Sequence, residues 1–428
     1  MTQDLNHATI VSAGAKALGG ALLLFGSPGI GSADTSDVKG PAPVIVAKSG
    51  KHCKDDPNCF NRIHYAIKPV ARVNPGQQFV LETRDGLDSD LDFNSTTADV
   101  AAINLNLCHP LTGPVYIEGA KRGDAIAITV VDIAPDEFGS TTIVPGFGFL
   151  RDVFPDPYIV HWELNRLEAR SKDMPGIAIP NNAFMGTLGT LPGKPELDRW
   201  LNREQALTDV GGAVLPPQPV DALPADLCGV DGTRKGECVR SVPPRENGGN
   251  TDLKETVVGT TVLLPCFIDG CGLFAGDVHY AMGGGEVAGT TIEMGARVRL
   301  SAKVIPGGGS RLSTVHFEGD SQLKKLAPSN FYAVTGLPLK PEGEVPVFST
   351  YLDSHKIAPL ANLSEDLTLA ARNATLNMID YLVETRGLTR EQAYVLVSVA
   401  VDLNISQVVN VPNVGVTAIL NLDVFKEP

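Results

Sequence analysis

The chain has 428 residues, 43% hydrophobic and 20% charged, a globular balance that excludes a disordered protein. Its formal net charge of −14 excludes nucleic acid and anionic membrane surfaces as partners. The 44 glycines and 31 prolines imply many turns, and hence many short strands.

Residues 1–34 read as a signal peptide. The apolar run Ala17–Gly26 precedes Gly31-Ser32-Ala33, a small-residue cleavage site. The cysteines agree with export. Cys53 with Cys59, Cys228 with Cys238 and Cys266 with Cys271 make local pairs, leaving Cys108 over. That is the pattern of disulfides in an oxidising compartment, so the expected location is periplasmic or secreted. The spacings do not match zinc knuckles. No later run approaches ~18 consecutive apolar residues, so no membrane span is expected.

Residues 35–150 form an N-terminal β-rich half. Val70–Val73 and the alternating Gln78–Thr83 read as strands. Gly113–Ala120 and Ala125–Ile133 read as two strands joined by a tight turn at Gly123-Asp124. Residues 151–260 are an irregular middle. Within it, Phe184–Thr190 is a small-residue segment suited to lining a pocket, and Asp198–Leu207 is a short surface helix. Residues 211–250, holding one cysteine pair, read as an inserted loop. Residues 261–428 carry a β-rich segment and a C-terminal α+β region. Ala296–Ile305 alternates, so one face should be solvated. Ser364 is the expected N-cap of a helix with the stripe Leu367, Ala370, Ala371, Ala374 and Met378. Gly387 should end it, and Thr389 to Gln392 should open a second helix with a capping box. From about residue 60 onward these segments read as one intertwined catalytic unit.

The stretch Phe274–Met294 carries the clearest chemistry. Asp277 and His279 are spaced as i and i+2, which in a strand turns both toward one face. Gly283, Gly284 and Gly285 make a turn without Cβ atoms. Glu286 follows and can swing back toward the pair. This is a metal-ligand pair with a nearby general base.

Four stretches resemble the acetamidase/formamidase family of metal-dependent amide hydrolases: PVARVNPGQQFVLETRDGLDS (69–89), HPLTGPVYIEGAKRGDAIAITVVDI (109–133), RENGGNTDLKETVVGTTVLLP (245–265) and GDVHYAMGGGEVAGTTIE (276–293). The C-terminal DYLVETRGLTREQAYVLVSVAVDLNISQVVN (380–410) is similar to the family's closing helical segment. The resemblance implies a mainly β fold with an α+β portion, a sandwich- or barrel-like core and a C-terminal helix pair. It also implies a divalent metal, most simply zinc, a homo-oligomer, and hydrolysis of a short amide to ammonia and a carboxylic acid.

On that reading Asp277 and His279 are ligands, with Asp85 the best further one and Asp88 and His64 lesser candidates. Glu286 is the general base and acid, because amide hydrolysis needs a group to take the water proton and return one to the leaving nitrogen. Glu293 is an outer acid. Asn250 and Asp252, in GGNTD, either bind the substrate amide or shape a turn. His109, before Pro110, reads as structural. Met282 and Gly284 stand where the family commonly has Gln and Asp, so substrate specificity is expected there. A secreted small-ligand or metal-binding protein with a degenerate amidase site is the rival class.

Overall fold

The computed structural model describes residues 43–426, apart from 210, 212–213, 320–329, 347–353 and 409–410. The expected signal peptide lies outside the described residues. The fold is mainly β. Its principal strands are β1 (Gln78–Thr83), β2 (Leu111–Ile117), β3 (Ala125–Ile143), β4 (Tyr158–Leu164), β5 (Phe184–Thr190), β6 (Gly248–Asn250), β7 (Thr261–Pro265), β8 (Leu273–His279) and β9 (Glu293–Ile305). These belong to one large sheet, mostly antiparallel, in which β4-β3-β9-β8-β5-β6 are successive neighbours.

β9 organises the sheet, and its sequence says why. Ala296, Val298, Leu300 and Ala302 are buried while Arg297, Arg299 and Lys303 are exposed, so the period of two divides core from water. Burying a Val or Leu side chain this completely contributes about 1.5–3 kcal/mol. A charge at Leu300, which is 0% exposed, would therefore undo the strand's anchorage. Along one edge β9 pairs with β3. Along the other it pairs first with β8 through Met294 and Glu293, then with β1 from Ala296 to Ser301.

The tight hairpin expected over 113–133 is not formed. β2 pairs with β8, whereas β3 pairs with β9, β4 and β7. The Gly123-Asp124 turn spends its backbone groups elsewhere: Gly123 N–H donates to Cys266 O at 2.9 Å, and Cys266 N–H to Asp124 O at 2.9 Å. β3 also runs on to Ile143, past Ile133, where the strand was expected to end. The surface helix is longer than expected. α1 (Lys194–Asp209) buries Leu197 and Trp200 against Phe60 and Val239.

The C-terminal helices are α2 (Leu367–Arg386) and α3 (Arg390–Ala400). They are followed by β11 and β12 of a three-stranded sheet, β10 (Phe331–Gly336)–β12 (Gly415–Asn421)–β11 (Val401–Gln407). The cap of α2 is Asp366, whose carboxylate accepts from Leu369 N–H at 2.9 Å, and not Ser364. Gly387 ends α2 with φ at 65°, and Thr389 and Gln392 form the capping box of α3. α3 is more than packing support. Its Ser398 carbonyl accepts from Gly283 N–H at 2.8 Å, and its Ser398 hydroxyl bonds Ala288 N–H and Thr290 O. Tyr394 reaches the Val287 carbonyl. The helix thereby clamps the loop that carries Glu286. All three expected disulfides are formed, and Cys108 is free and buried.

Candidate metal centre

β8 ends at the site. Asp277 and His279 come together as the strand spacing predicts, with His279 Nε2 3.4 Å from Asp277 Oδ1. The strand is not regular there: Asp277 has φ at 51°, in the left-handed region. Asp252 and Glu286 share that conformation, each with φ at 46°. Left-handed backbone is costly for residues with a Cβ, and it concentrates where surrounding structure enforces a functional geometry.

Other segments supply the rest. Glu293, the first residue of β9, fixes Oε1 on Thr291 N–H at 2.8 Å and presents Oε2 to His279 Nε2 at 3.4 Å. Asp252 Oδ1 lies 3.8 Å from His279 Nδ1 on the opposite side of the ring. His109 Nδ1 lies 3.5 Å from Asp277 Oδ2. The Phe184 and His279 rings pack nearly perpendicular, at 79° with centroids 5.1 Å apart, and Phe184 limits how the imidazole can turn. Two glycines allow the approach of further chain. A Cβ on Gly86 would run into the Asp277 carboxylate and come within 3.2 Å of Glu293 Oε2. A Cβ on Gly186 would run into the Asp277 carbonyl and come within 2.8 Å of His279 Cε1.

The charges are arranged as a cation site. Asp252, Asp277 and His279 bring ligand atoms within 4.8 Å of one another, as do His279, Glu286 and Glu293. Among the described residues both nitrogens of His279, Asp252 Oδ1, Glu293 Oε2 and His109 Nδ1 are buried without a hydrogen-bond partner. Polar atoms so placed are costly unless something else engages them. A divalent cation fits: imidazole and carboxylate oxygens are its usual donors, and its charge offsets the crowded acids.

The titration behaviour is consistent with that crowding. Burial, with Asp277 and Glu293 nearby and despite His279, pushes the Asp252 carboxyl up to about 7. Burial, then Asp252, pushes Glu286 well above the usual carboxylate range. Burial disfavours the charged form of Asp277, but His109 and His279 outweigh it and hold that carboxyl below its ordinary value. For His279 burial opposes the charge and Glu293 and Asp277 outweigh it, so the imidazole is raised.

A cavity of about 130 Å³ opens beside these groups, lined on its polar side by His109, Asn250, Asp277, Glu286 and Glu293. Asn250 accepts from Thr187 Oγ1 at 2.7 Å and donates to Val242 O at 3.1 Å.

The structure therefore brings together Asp277, His279, Glu286, Asn250 and Asp252 from the sequence reading, but leaves others outside. Both carboxylate oxygens of Asp85 accept backbone N–H groups, from Leu87 at 2.9 Å and Ser89 at 3.1 Å, so Asp85 shapes the turn that delivers Gly86. Asp88 accepts from Cys53 N–H at 2.8 Å, and His64 lies 3.6 Å from Glu237. Met282 packs with Phe184 and Val257 behind the site, and Gly284 N–H donates to Asp402 at 2.9 Å. Glu293 is closer in than an outer acid. His109 lines the cavity, although its place before a proline signalled only a turn.

Residues 46–427 match the Acetamidase/Formamidase family. The chain is 33% identical over 363 residues to an acetamidase of Mycolicibacterium smegmatis, covering 78% of this chain and 84% of that one. It is 29% identical over 394 residues to a formamidase of Methylophilus methylotrophus, covering 88% and 91%. Its fold is similar to the γ-lactamase from Delftia acidovorans, with a TM-score of 0.80, 29% identity and coverage of 90% and 93%. With the family's pattern running through nearly all of the described chain and through every strand that feeds the site, this protein belongs to the acetamidase/formamidase family of amide hydrolases.

Proposed function

We propose that the protein is a metal-dependent hydrolase of a short-chain amide of the formamide or acetamide type, releasing ammonia and a carboxylic acid. The observation that carries this reading is the convergence of carboxylates on His279, whose two buried ring nitrogens have no hydrogen-bond partner among the described residues: Glu293 Oε2 and Asp277 Oδ1 lie on its Nε2 side and Asp252 Oδ1 on its Nδ1 side, the Glu293 and Asp252 oxygens being unpartnered as well. His279, Asp277 and Glu293 would hold the cation, zinc by the mix of imidazole and carboxylate. Asp252 would receive the Nδ1 proton and fix the ring, as carboxylates behind metal-binding histidines do. When bound, the cation supplies a Lewis acid for the amide carbonyl and a lowered pKa for water.

The chain's own groups complete the chemistry. Glu286 lines the cavity beside the group that would hold the cation, and its burial makes it a stronger base than an ordinary carboxylate; with the cation offsetting the neighbouring acids it would stand ionised, ready to take a proton from water and return one to the leaving nitrogen. Asn250 donates one N–H to Val242, and its second N–H is available to orient the substrate carbonyl. His109 packs beside Asp277 and keeps its carboxylate charged. Three disulfides support residence in the periplasm or outside the cell. Family membership supports a homo-oligomer.

Ammonia release from formamide and acetamide by the zinc- or manganese-loaded protein, abolished by chelator, is the expected result. No release from any amide after loading with either metal would return the rival class, a ligand-binding protein with a degenerate site.

A further inference from the structure

Beside its carboxylates the cavity has an apolar wall, and we propose that this wall receives a branched or aromatic acyl group, between isopropyl and phenyl in size. The inference rests on the amide-hydrolase reading but moves its preferred substrate from the short-chain amides to amides of bulky apolar acids, with formamide and acetamide as the poorer substrates.

Volume is the first argument. The cavity holds about 130 Å³. An apolar cavity of ~150 Å³ is enough to hold benzene. Formamide would leave most of this space empty, whereas isobutyramide would fill it and the ring of benzamide would extend from it into the mouth at Phe147 and Leu215.

The character of the wall is the second. Leu87, Cys108 and Val144 line the cavity at 6%, 3% and 5% exposure. They are packed into a cluster with Leu91, Val100 and Ile159, so the wall is preformed and held open from behind. Burial, with Asp277 adding to it, pushes the Cys108 thiol far up, so it stays protonated and acts as a small apolar surface rather than a nucleophile.

The rim is the third. Phe147 and Leu215 line the mouth and are 37% and 38% exposed, large apolar side chains turned toward a pocket. The Phe147 ring is seated on Gly289, where a Cβ would come within 2.7 Å of two ring carbons. Gly289 belongs to the loop that carries Glu286, and its N–H donates to the Glu286 carbonyl at 2.9 Å. The rim is thus tied to the catalytic loop, and an acyl group touching Phe147 is held in register with Glu286.

Thr290 engages its hydroxyl with the Thr142 backbone, which leaves Arg240 as the remaining polar side chain of the lining outside the polar side. Its terminal nitrogens are engaged by Leu105 O at 2.6 Å and Asn106 Oδ1 at 3.2 Å, while Nε has no partner among the described residues. An acyl chain ending in a carboxylate is the competitor that would use it.

The test is kcat/KM on the metal-loaded full chain for formamide, acetamide, isobutyramide, benzamide and succinamate. An apolar pocket discriminates about 10–200-fold per methylene, so isobutyramide and benzamide should exceed acetamide by about tenfold or more. Phe147→Ala, at the exposed rim, should lower the benzamide-to-acetamide ratio by about tenfold, and Val144→Phe, which fills the pocket, should reverse it. Hydrolysis of acetamide with no gain for the larger acyl groups would overturn the acyl pocket alone. Succinamate as the best substrate would overturn it in favour of Arg240. No hydrolysis of any of the five would overturn the hydrolase reading beneath it.

Discussion

Glu293 Oε2 faces His279 Nε2 at 3.4 Å, and neither atom has a hydrogen-bond partner among the described residues. The other oxygen of Glu293 is pinned by Thr291 N–H, so the unpaired one cannot rotate away without losing that bond. Two fixed donors at this separation would serve as ligands in the proposed metal site. Glu293→Gln and His279→Ala are each expected to lower bound metal by 10-fold or more, since loss of a protein donor weakens a site at least as much as loss of its outer partners does. Metal content per chain after gel filtration measures this, and an unchanged content in both variants would remove the pair from the ligand set.

Glu286 is expected to behave differently. It lines the cavity and its loop is clamped by Ser398 and Tyr394 of α3, so truncating its charge should leave the fold and the metal in place. Glu286→Gln is expected to keep metal content near that of the parent while kcat falls 10²–10⁴-fold, the usual contribution of a positioned proton-transfer group. Steady-state ammonia release, measured beside metal content, separates the base from a ligand. A variant that loses both would make Glu286 a ligand.

The sign of the pH dependence follows from the same carboxylates. In chelated protein the Asp252 carboxyl titrates at about 7 against an ordinary 3.8, chiefly because it is buried. Its contribution to stability is fully present below 3.8 and is lost as pH rises through about 7. His279, raised above 6.5, acts in the same direction, being stabilising at low pH and losing that as pH rises through its folded value. Asp277, depressed, acts oppositely, and only as pH falls through the acid range. Chelated protein should therefore lose Tm between pH 5 and 8, while the loaded protein, whose cation replaces those protons, should change less. Thermal unfolding with and without chelator across that range measures the gap, which must widen with pH.

The period of two in 296–305 was enough to locate β9, because Arg297, Arg299 and Lys303 alternate with residues that have nowhere to go but the core. The helix pair was legible for a similar reason, through Gly387 and the Thr389–Gln392 box, although Asp366 outcompeted Ser364 as cap because its carboxylate reaches Leu369 N–H. The false hairpin at 113–133 came from a real turn whose partners lie at Cys266, a pairing that no local pattern encodes. β3 hid beyond Pro135, which reads as a strand breaker. In the sheet it pairs with Ala296 beside a register shift, where a proline is tolerated. Within the site, Asp277 and His279 were visible because they are neighbours on one strand. Glu293 and His109 reach them only through the pairing of β8 with β9 and with β2, so their placement is a tertiary fact.

Gly86 gives the last test, because it separates the site from the stability of the fold. Its turn is held by Asp85 through Leu87 and Ser89 N–H. It is anchored further back by Arg84, whose side chain pairs with Asp56 at 2.7 Å, both almost fully buried. With these anchors fixed, a Cβ added at Gly86 has no room except the space of the Asp277 carboxylate, with Glu293 Oε2 at 3.2 Å and His109 Cδ2 at 3.3 Å. The backbone here is not left-handed, so alanine brings no conformational strain of its own. Overpacking of this kind costs about 1–3 kcal/mol when the surroundings must absorb it. The cheapest adjustment is rotation of Asp277 away from His279. Gly86→Ala is therefore expected to unfold cooperatively with only a modest fall in Tm, while metal affinity and kcat/KM drop by 10-fold or more. Full activity in that variant would mean that Asp277 need not hold the position from which it meets both His109 and His279.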